Sequence, residues 1–262
     1  MFRILSAAFI IFSGTAWGQV RMTKLILRHG ETYELRGSDI LVVDSLIMYD
    51  SSRFVLNKLK ADNFIHARAA IFYTGTTFLG KGVHGISGRN GRPGISPSSP
   101  CTDGGPGGSG VEGTNGGRGT NLFLYFSDLT LKGKLTIDVS GGDAGDGGDG
   151  GPAGGGGPGT RLCTGGRGGQ GGAGARGGHG GNSGMVTFVS PRIPELRSML
   201  GERIIIRNYG GNHGLGGDGG IGGFAGLSPV GNNKMDGRPG RKGLKGKDGT
   251  AGKVGAVNFQ DK

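Results

Sequence analysis

Three aspartates, Asp143, Asp146 and Asp149, recur every third residue inside GGDAGDGGDGG. Carboxylates at a fixed interval could hold a hard cation such as calcium. The calcium-binding nonapeptide repeat also needs a large apolar residue after each Asp-x, however, and this stretch has none. None of the five histidines (His29, His66, His84, His179, His213) sits in a zinc-binding HExxH pattern. His84, His179 and His213 each fit as ordinary residues of glycine-spaced stretches, so no metal site is expected. Serines cluster in ISPSSP, but no Gly-x-Ser-x-Gly elbow lies between a strand and a helix. GGGGPG is not followed by the Lys-Ser or Lys-Thr of a phosphate loop. The expectation is a non-enzymatic protein with no catalytic residues, no metal and no cofactor.

Cys101 and Cys163 are the only cysteines. The N-terminus reads as a secretory signal over 1–18: Arg3, then the apolar stretch Ile4 to Phe12, then Ala16-Trp17-Gly18 as a small-x-small cleavage site. Export to the periplasm, the cell surface or the medium is expected, and an exported chain with two cysteines can close one disulfide. No apolar stretch is long enough for a transmembrane helix. The formal net charge of +11 favours polyanionic partners, such as an acidic glycan or lipopolysaccharide phosphates. Nucleic acid is not expected, because aromatic residues are not interleaved with the basic ones to stack bases. The sequence leaves the oligomeric state open.

The elements that must carry these residues are unusual. Of 262 residues, 64 are glycine, so an ordinary side-chain core cannot explain half of the chain. Glycine recurs every third residue in six runs: 82–94, 104–119, 142–157, 165–180, 211–226 and 237–255. A period of three fits a polyproline-II helix rising about 3.1 Å per residue. Collagen shares the period but needs abundant proline and long arrays, whereas this chain has ten prolines and no run longer than 19 residues. Side-by-side packing of six such helices within one chain accounts better for short runs of similar length. Runs one and six carry no second glycine in their triplets, while runs two to five carry several, so runs two to five are expected in the interior. Antiparallel packing of run three on run four would bring Asp146 near Arg176 and Asp143 near His179.

The connectors alternate in kind. ISPSSPCTD, PGTRLCT and LSPVGNNKMD are polar turns. Residues 121–139 and 185–208 are strand-like, as is AVNFQ at 256–260. In 19–81, MTKLILR, TYELR, DILVVD, SLIMYD, RFVLN and ARAAIFYTG read as short strands of a β-solenoid or a β-sandwich. The expected fold is therefore mostly β and irregular: a strand base (19–81) and a Gly-X-Y helix bundle (82–255). The bundle is built as three hairpins, its strand-forming connectors join the base, and a last strand lies within 256–262. Core candidates are Leu25, Leu27, Leu41, Val43, Leu46, Phe54, Leu56, Ile65, Ile71, Phe123, Leu131, Leu135, Ile137, Phe188, Ile204 and Ile206. Three hairpins leaving one base bring their tips to one end, which predicts a Cys101–Cys163 disulfide.

The six Gly-X-Y runs resemble those of the polyglycine-II bundle proteins, which include a snow-flea antifreeze protein and the tip adhesins of T-even phage tail fibres. Run six, GRPGRKGLKGKDGTAGKVG, is also similar to bacterial collagen-like sequence. The likeness is one of repeat and layout over about 96 residues. It implies a rigid pedestal whose distal loops make contact, here Ser96, Ser98 and Ser99, then Arg161 and Leu162, then Asn232, Asn233, Lys234 and Met235. Two departures matter. The phage adhesins lack a signal peptide, and ice-binding faces are flat and small, whereas Arg89, Arg92, Arg238, Arg241, Lys242, Lys245 and Lys247 make the outer runs bulky and charged. The expected function is adhesion or recognition of an acidic or glycan ligand, with a collagen-like structural matrix protein as the alternative.

Overall fold

The computed structural model describes residues 18–229 and 235–261; the expected signal segment, apart from Gly18, lies outside them. Eleven strands and one short helix follow in order. They are β1 (Val20–Leu27), β2 (Thr32–Glu34), β3 (Ile40–Met48), β4 (Arg53–Val55), β5 (Asp62–Phe72), β6 (Thr76–Leu79), β7 (Asn121–Leu131), β8 (Leu135–Asp138), β9 (Val186–Val189), α1 (Ile193–Ser198), β10 (Ile204–Arg207) and β11 (Val257–Gln260). Odd strands up to β9, with β11, form a six-stranded sheet ordered β1-β3-β5-β7-β9-β11. The even strands form a five-stranded sheet, β10-β8-β6-β4-β2. Every pairing is parallel. The described residues are thus mostly β, with almost no helix.

The core lies between the sheets. Phe72 from the larger sheet meets Phe78 from the smaller edge to face at 5.6 Å, and Leu27, Leu41, Leu46, Phe54 and Ile65 are fully enclosed with them. Most of the expected core residues are buried, but Leu25, Ile71, Phe123 and Ile206 are only partly so. Ile71 fails for a definite reason. Inward positions in β5 run Asn63, Ile65, Ala67 and then Ala70, Phe72, so the alternation slips by one residue at Arg68 and Ala69. The same slip occurs in β3 at Asp44 and Ser45. It explains why DILVVD and SLIMYD look like two strands, although they form a single strand. β6 and α1 were not anticipated. TTFL is only four residues long, and IPELRS is a six-residue helix with one buried side chain, Leu196.

Strand register shows where the glycine runs enter. Partners within the base lie 24 residues apart in β3 and β5, for example Ile40 and Phe64. They lie much further apart once a glycine hairpin intervenes, as Asp62 and Asn121 do. Runs one and two connect β6 to β7, runs three and four connect β8 to β9, and runs five and six connect β10 to β11.

Candidate binding surface

The runs form neither α-helix nor strand, yet their backbones are hydrogen-bonded throughout. Each odd run bonds to the next odd run in parallel: Gly85 N–H donates to Asp143 O, and Gly147 N–H to Leu215 O. Each even run does likewise, as in Gly110 to Ala173 and Gly174 to Leu244. Bonds between odd and even runs are antiparallel, as in Gly148 to Val111, Gly172 to Gly151 and Gly243 to Gly220. The odd runs thus form one layer and the even runs another. Each layer continues a sheet. The ladder of β6 on β8 passes through Gly80 N–H to Asp138 O and on to Gly82 N–H to Ser140 O.

Within runs three and four, which have a run on every other side, one residue in three faces outward, and the glycines identify which. A methyl carbon on Gly165 would run into Gly226 and Gly237, and one on Gly166 into Thr102 and Gly157. Both of those directions meet backbone, so they require glycine. The third direction, that of Arg167, leaves the even layer, and it is never glycine in run four.

Two opposed faces result. Arg118 of run two, Arg167 and Arg176 of run four, and Arg238, Arg241, Lys247 and Lys253 of run six project from the even-run face; all seven are exposed. Asp103 and Glu112 are the carboxylates of that face. Asp143, Asp146, Asp149 and Asp218 project from the odd-run face.

The carboxylates have a structural task. One oxygen each of Asp143, Asp146 and Asp149 accepts the N–H of Asn212, Leu215 and Asp218, all at 2.7 Å. Outward-facing N–H groups of run three are taken by side chains of run one and the turn after it: Ser87 for Asp146, Asn90 for Asp149, Ser96 for Gly155. The expected pairs of Asp146 with Arg176 and Asp143 with His179 do not form, because the partners project from opposite layers. Asp143 instead meets His84 at 3.3 Å, while the His179 ring contacts Arg176 and Thr250. His84 and His179 are therefore on different faces, and no cluster of metal-ligating side chains occurs among the described residues.

The three turns lie together at the end away from the strands. Cys101 and Cys163 form the disulfide, with Cα atoms 6.1 Å apart, within the usual range. Cys101 N–H donates to Pro158 O, Gly159 N–H to Leu227 O, and Gly165 N–H to Met235 O. Of the candidate contact residues, Ser98, Ser99, Arg161 and Leu162 are exposed, Leu162 to 95%. Ser96 is exposed but anchors run three, and Met235 is half-buried. Asn232, Asn233 and Lys234 lie outside the described residues.

The odd-run face changes character toward this end, where Ile221, Phe224 and Leu227 are exposed. Beside them Gly155 is the exception among the run glycines: a methyl carbon there would meet nothing nearer than Phe224 O at 3.6 Å. In the base, burial pushes the Tyr33 phenol up, and a hydrogen bond from the Arg36 guanidinium to Glu34 raises that of Arg36. No helix among the described residues is long and apolar enough to cross a membrane.

No family model, curated protein or solved structure matches this chain.

The segregated faces were not foreseen from sequence. Arg89, Arg92, Lys242 and Lys245, counted with the outer-run charges, fall at the layer edges rather than on a face. The signal was present in the three-residue phase of the non-glycine positions. Reading it requires knowing which phase points outward, and the neighbouring runs decide that.

Proposed function

We propose that the chain is an exported, non-enzymatic recognition module: a bundle of six polyproline-II-type helices, arranged as three hairpins, stands on a short β-solenoid and presents its turns to a ligand. The solenoid reading draws on strands that alternate between two all-parallel sheets. The helix reading draws on backbone bonds that repeat every third residue. The resemblance to polyglycine-II proteins in repeat and layout points the same way.

One observation carries the functional reading. Three turns from distant parts of the chain are held at one end, two of them by a disulfide, on a scaffold whose backbone groups are bonded to each other. Exposed loop residues on a rigid support are a usual location for binding. Ser98, Ser99, Arg161, Leu162 and Met235, with Asn232, Asn233 and Lys234 of the third turn and Ser96 at the margin, supply hydroxyl, amide, cationic and apolar groups. The net charge favours an acidic or glycan ligand, such as lipopolysaccharide.

The test replaces the three turns, cysteines excepted, by Gly-Ser sequence of equal length. Binding to bacterial cells or to a glycan array should be lost while the melting curve is retained. Undiminished binding rejects the reading. A collagen-like structural role is the second reading, favoured by the exposed Ile221, Phe224 and Leu244 on the layer faces. It requires self-association in concentrated solution, and a monomer by sedimentation equilibrium excludes it.

A further inference from the structure

The even-run face offers a ligand surface that no motif marks. None of its seven cations is ion-paired among the described residues. Solubility alone would scatter charge around the molecule; here the cations and the aspartate ladder lie on opposite layers. The backbones that carry the cations are fixed by the glycine lattice, so binding has only their side chains left to order. Triplets rise about 9 Å, so successive cations along run six stand about 9–19 Å apart. The shorter spacing is about one Debye length at physiological salt, where like charges still repel.

A second feature lies at the base end, on the edge beside Arg118. A cleft of about 310 Å³ opens where runs one and two meet the strands, lined by Lys58, Lys60, Lys81 and Arg118. Arg118 belongs to both the cleft and the face.

We propose that the even-run face is the docking surface for a linear polyanion, a chain bearing sulfate or phosphate groups, which lies along the runs with one anionic group in the cleft. This rests on the recognition reading for ligand class only, and it adds, for a linear polymer, a contact along a face to the one made by the turns.

The experiment measures binding of dextran sulfate and of inorganic polyphosphate across a salt series. The face variant carries Arg176→Glu, Arg238→Glu, Arg241→Glu and Lys247→Glu, with a glutamine set in parallel should the reversal unfold the protein. A matched variant reverses four base cations: Arg28, Arg53, Lys134 and Arg207. A third carries Lys58→Gln with Lys81→Gln, and a fourth is the turn replacement described above.

The face variant should bind at least about tenfold more weakly, with a log–log salt slope smaller by about three, as expected for four lost contacts to a flexible polyanion. The cleft variant should lose about threefold, and the base and turn variants should stay within about twofold of the parent. The tighter of the two polymers identifies sulfate or phosphate as the source. Equal weakening by the face and base variants overturns the proposal, since only net charge would then matter. Loss in the turn variant alone overturns it while leaving the turn reading intact. Self-association at low salt that the face variant abolishes, without polymer binding, also overturns it, because the aspartate face of a second copy would then be the occupant.

Discussion

Replacing one glycine at a time tests the lattice most directly, and Gly151 and Gly155 make the sharpest pair. They lie four residues apart in run three. A methyl carbon at Gly151 would lie 2.6 Å from the Arg92 carbonyl carbon and 2.7 Å from Gly91 O, closer still to Arg92 O. Ordinary contact begins at 3.4 Å, so runs one and three must part by at least 0.8 Å. Gly91 N–H to Asp149 O and Gly94 N–H to Pro152 O join those runs at 2.7 Å. The same displacement stretches both to about 3.5 Å, past useful length. Two bonds at about 0.5–1.5 kcal/mol each and an overpacking cost of about 1–3 kcal/mol sum to about 2–6 kcal/mol. For a chain of this size that lowers the melting temperature by about 5–20 °C. Gly155→Ala should do the reverse. Its methyl makes only ordinary contacts, with Phe224 O at 3.6 Å and Ser96 Oγ at 3.9 Å, the residue is not held at positive φ, and lower unfolded-state entropy should stabilise by about 0.4–1 kcal/mol. Calorimetry on the two variants decides the matter. If Gly155→Ala costs as much as Gly151→Ala, or if both are neutral, backbone contact does not hold the runs together.

Four more outcomes follow from the same geometry. Cys101→Ser with Cys163→Ser opens a loop spanning 62 residues and should cost on the order of 4 kcal/mol in urea unfolding, with strand circular dichroism retained below the transition. Asp146→Ala strips the acceptor from Leu215 N–H, which water replaces in part; a loss of about 1 kcal/mol is expected, and Asp146→Asn should recover most of it. Asn63→Ala removes the acceptor of Asn57 N–H and the donor to Asn57 O inside the base, and should cost about 2–3 kcal/mol in denaturant unfolding. Phe224→Ala should leave the melting temperature within about 1 °C, because the ring is exposed and makes no ring contact among the described residues.

The legible part of this fold was the part governed by glycine. Period three and the polar turns located all six runs, and the turns located the disulfide, because a backbone-to-backbone contact tolerates no other residue type. Alternating apolar residues located most strands as well. What stayed hidden was decided by neighbours rather than by local pattern. Whether Ile71 points in or out depends on a slip shared by adjacent strands. Whether Asp146 meets Arg176 or the Leu215 N–H depends on which of three directions leaves the layer. The turns could be read from the sequence, but the cationic face could not, since its residues come from runs two, four and six and meet only through the lattice.

The junction between strands and runs explains why one chain can combine both. A strand offers a neighbour every second residue and a glycine run every third, yet each keeps the same partner across the boundary. Leu79 pairs with Asp138, Gly80 N–H reaches the Asp138 carbonyl, and Gly82 and Gly85 continue to Ser140 and Asp143. The side-chain core ends near Thr120 and Val139. Beyond it the layers approach until carbonyls of one meet glycine Cα atoms of the other, so hydrogen bonds replace apolar burial as the source of cohesion. Runs one and six bond to two neighbours, runs two and five to three, and runs three and four to four, and second glycines in the triplets are confined to runs two to five. Positions freed from packing fall outward in registers fixed by that bonding. Charge can therefore be sorted onto one face or the other by changing single residues at three-residue intervals, at the cost of one hydrogen bond where, as at Asp146, the side chain also accepts the N–H of a neighbouring run.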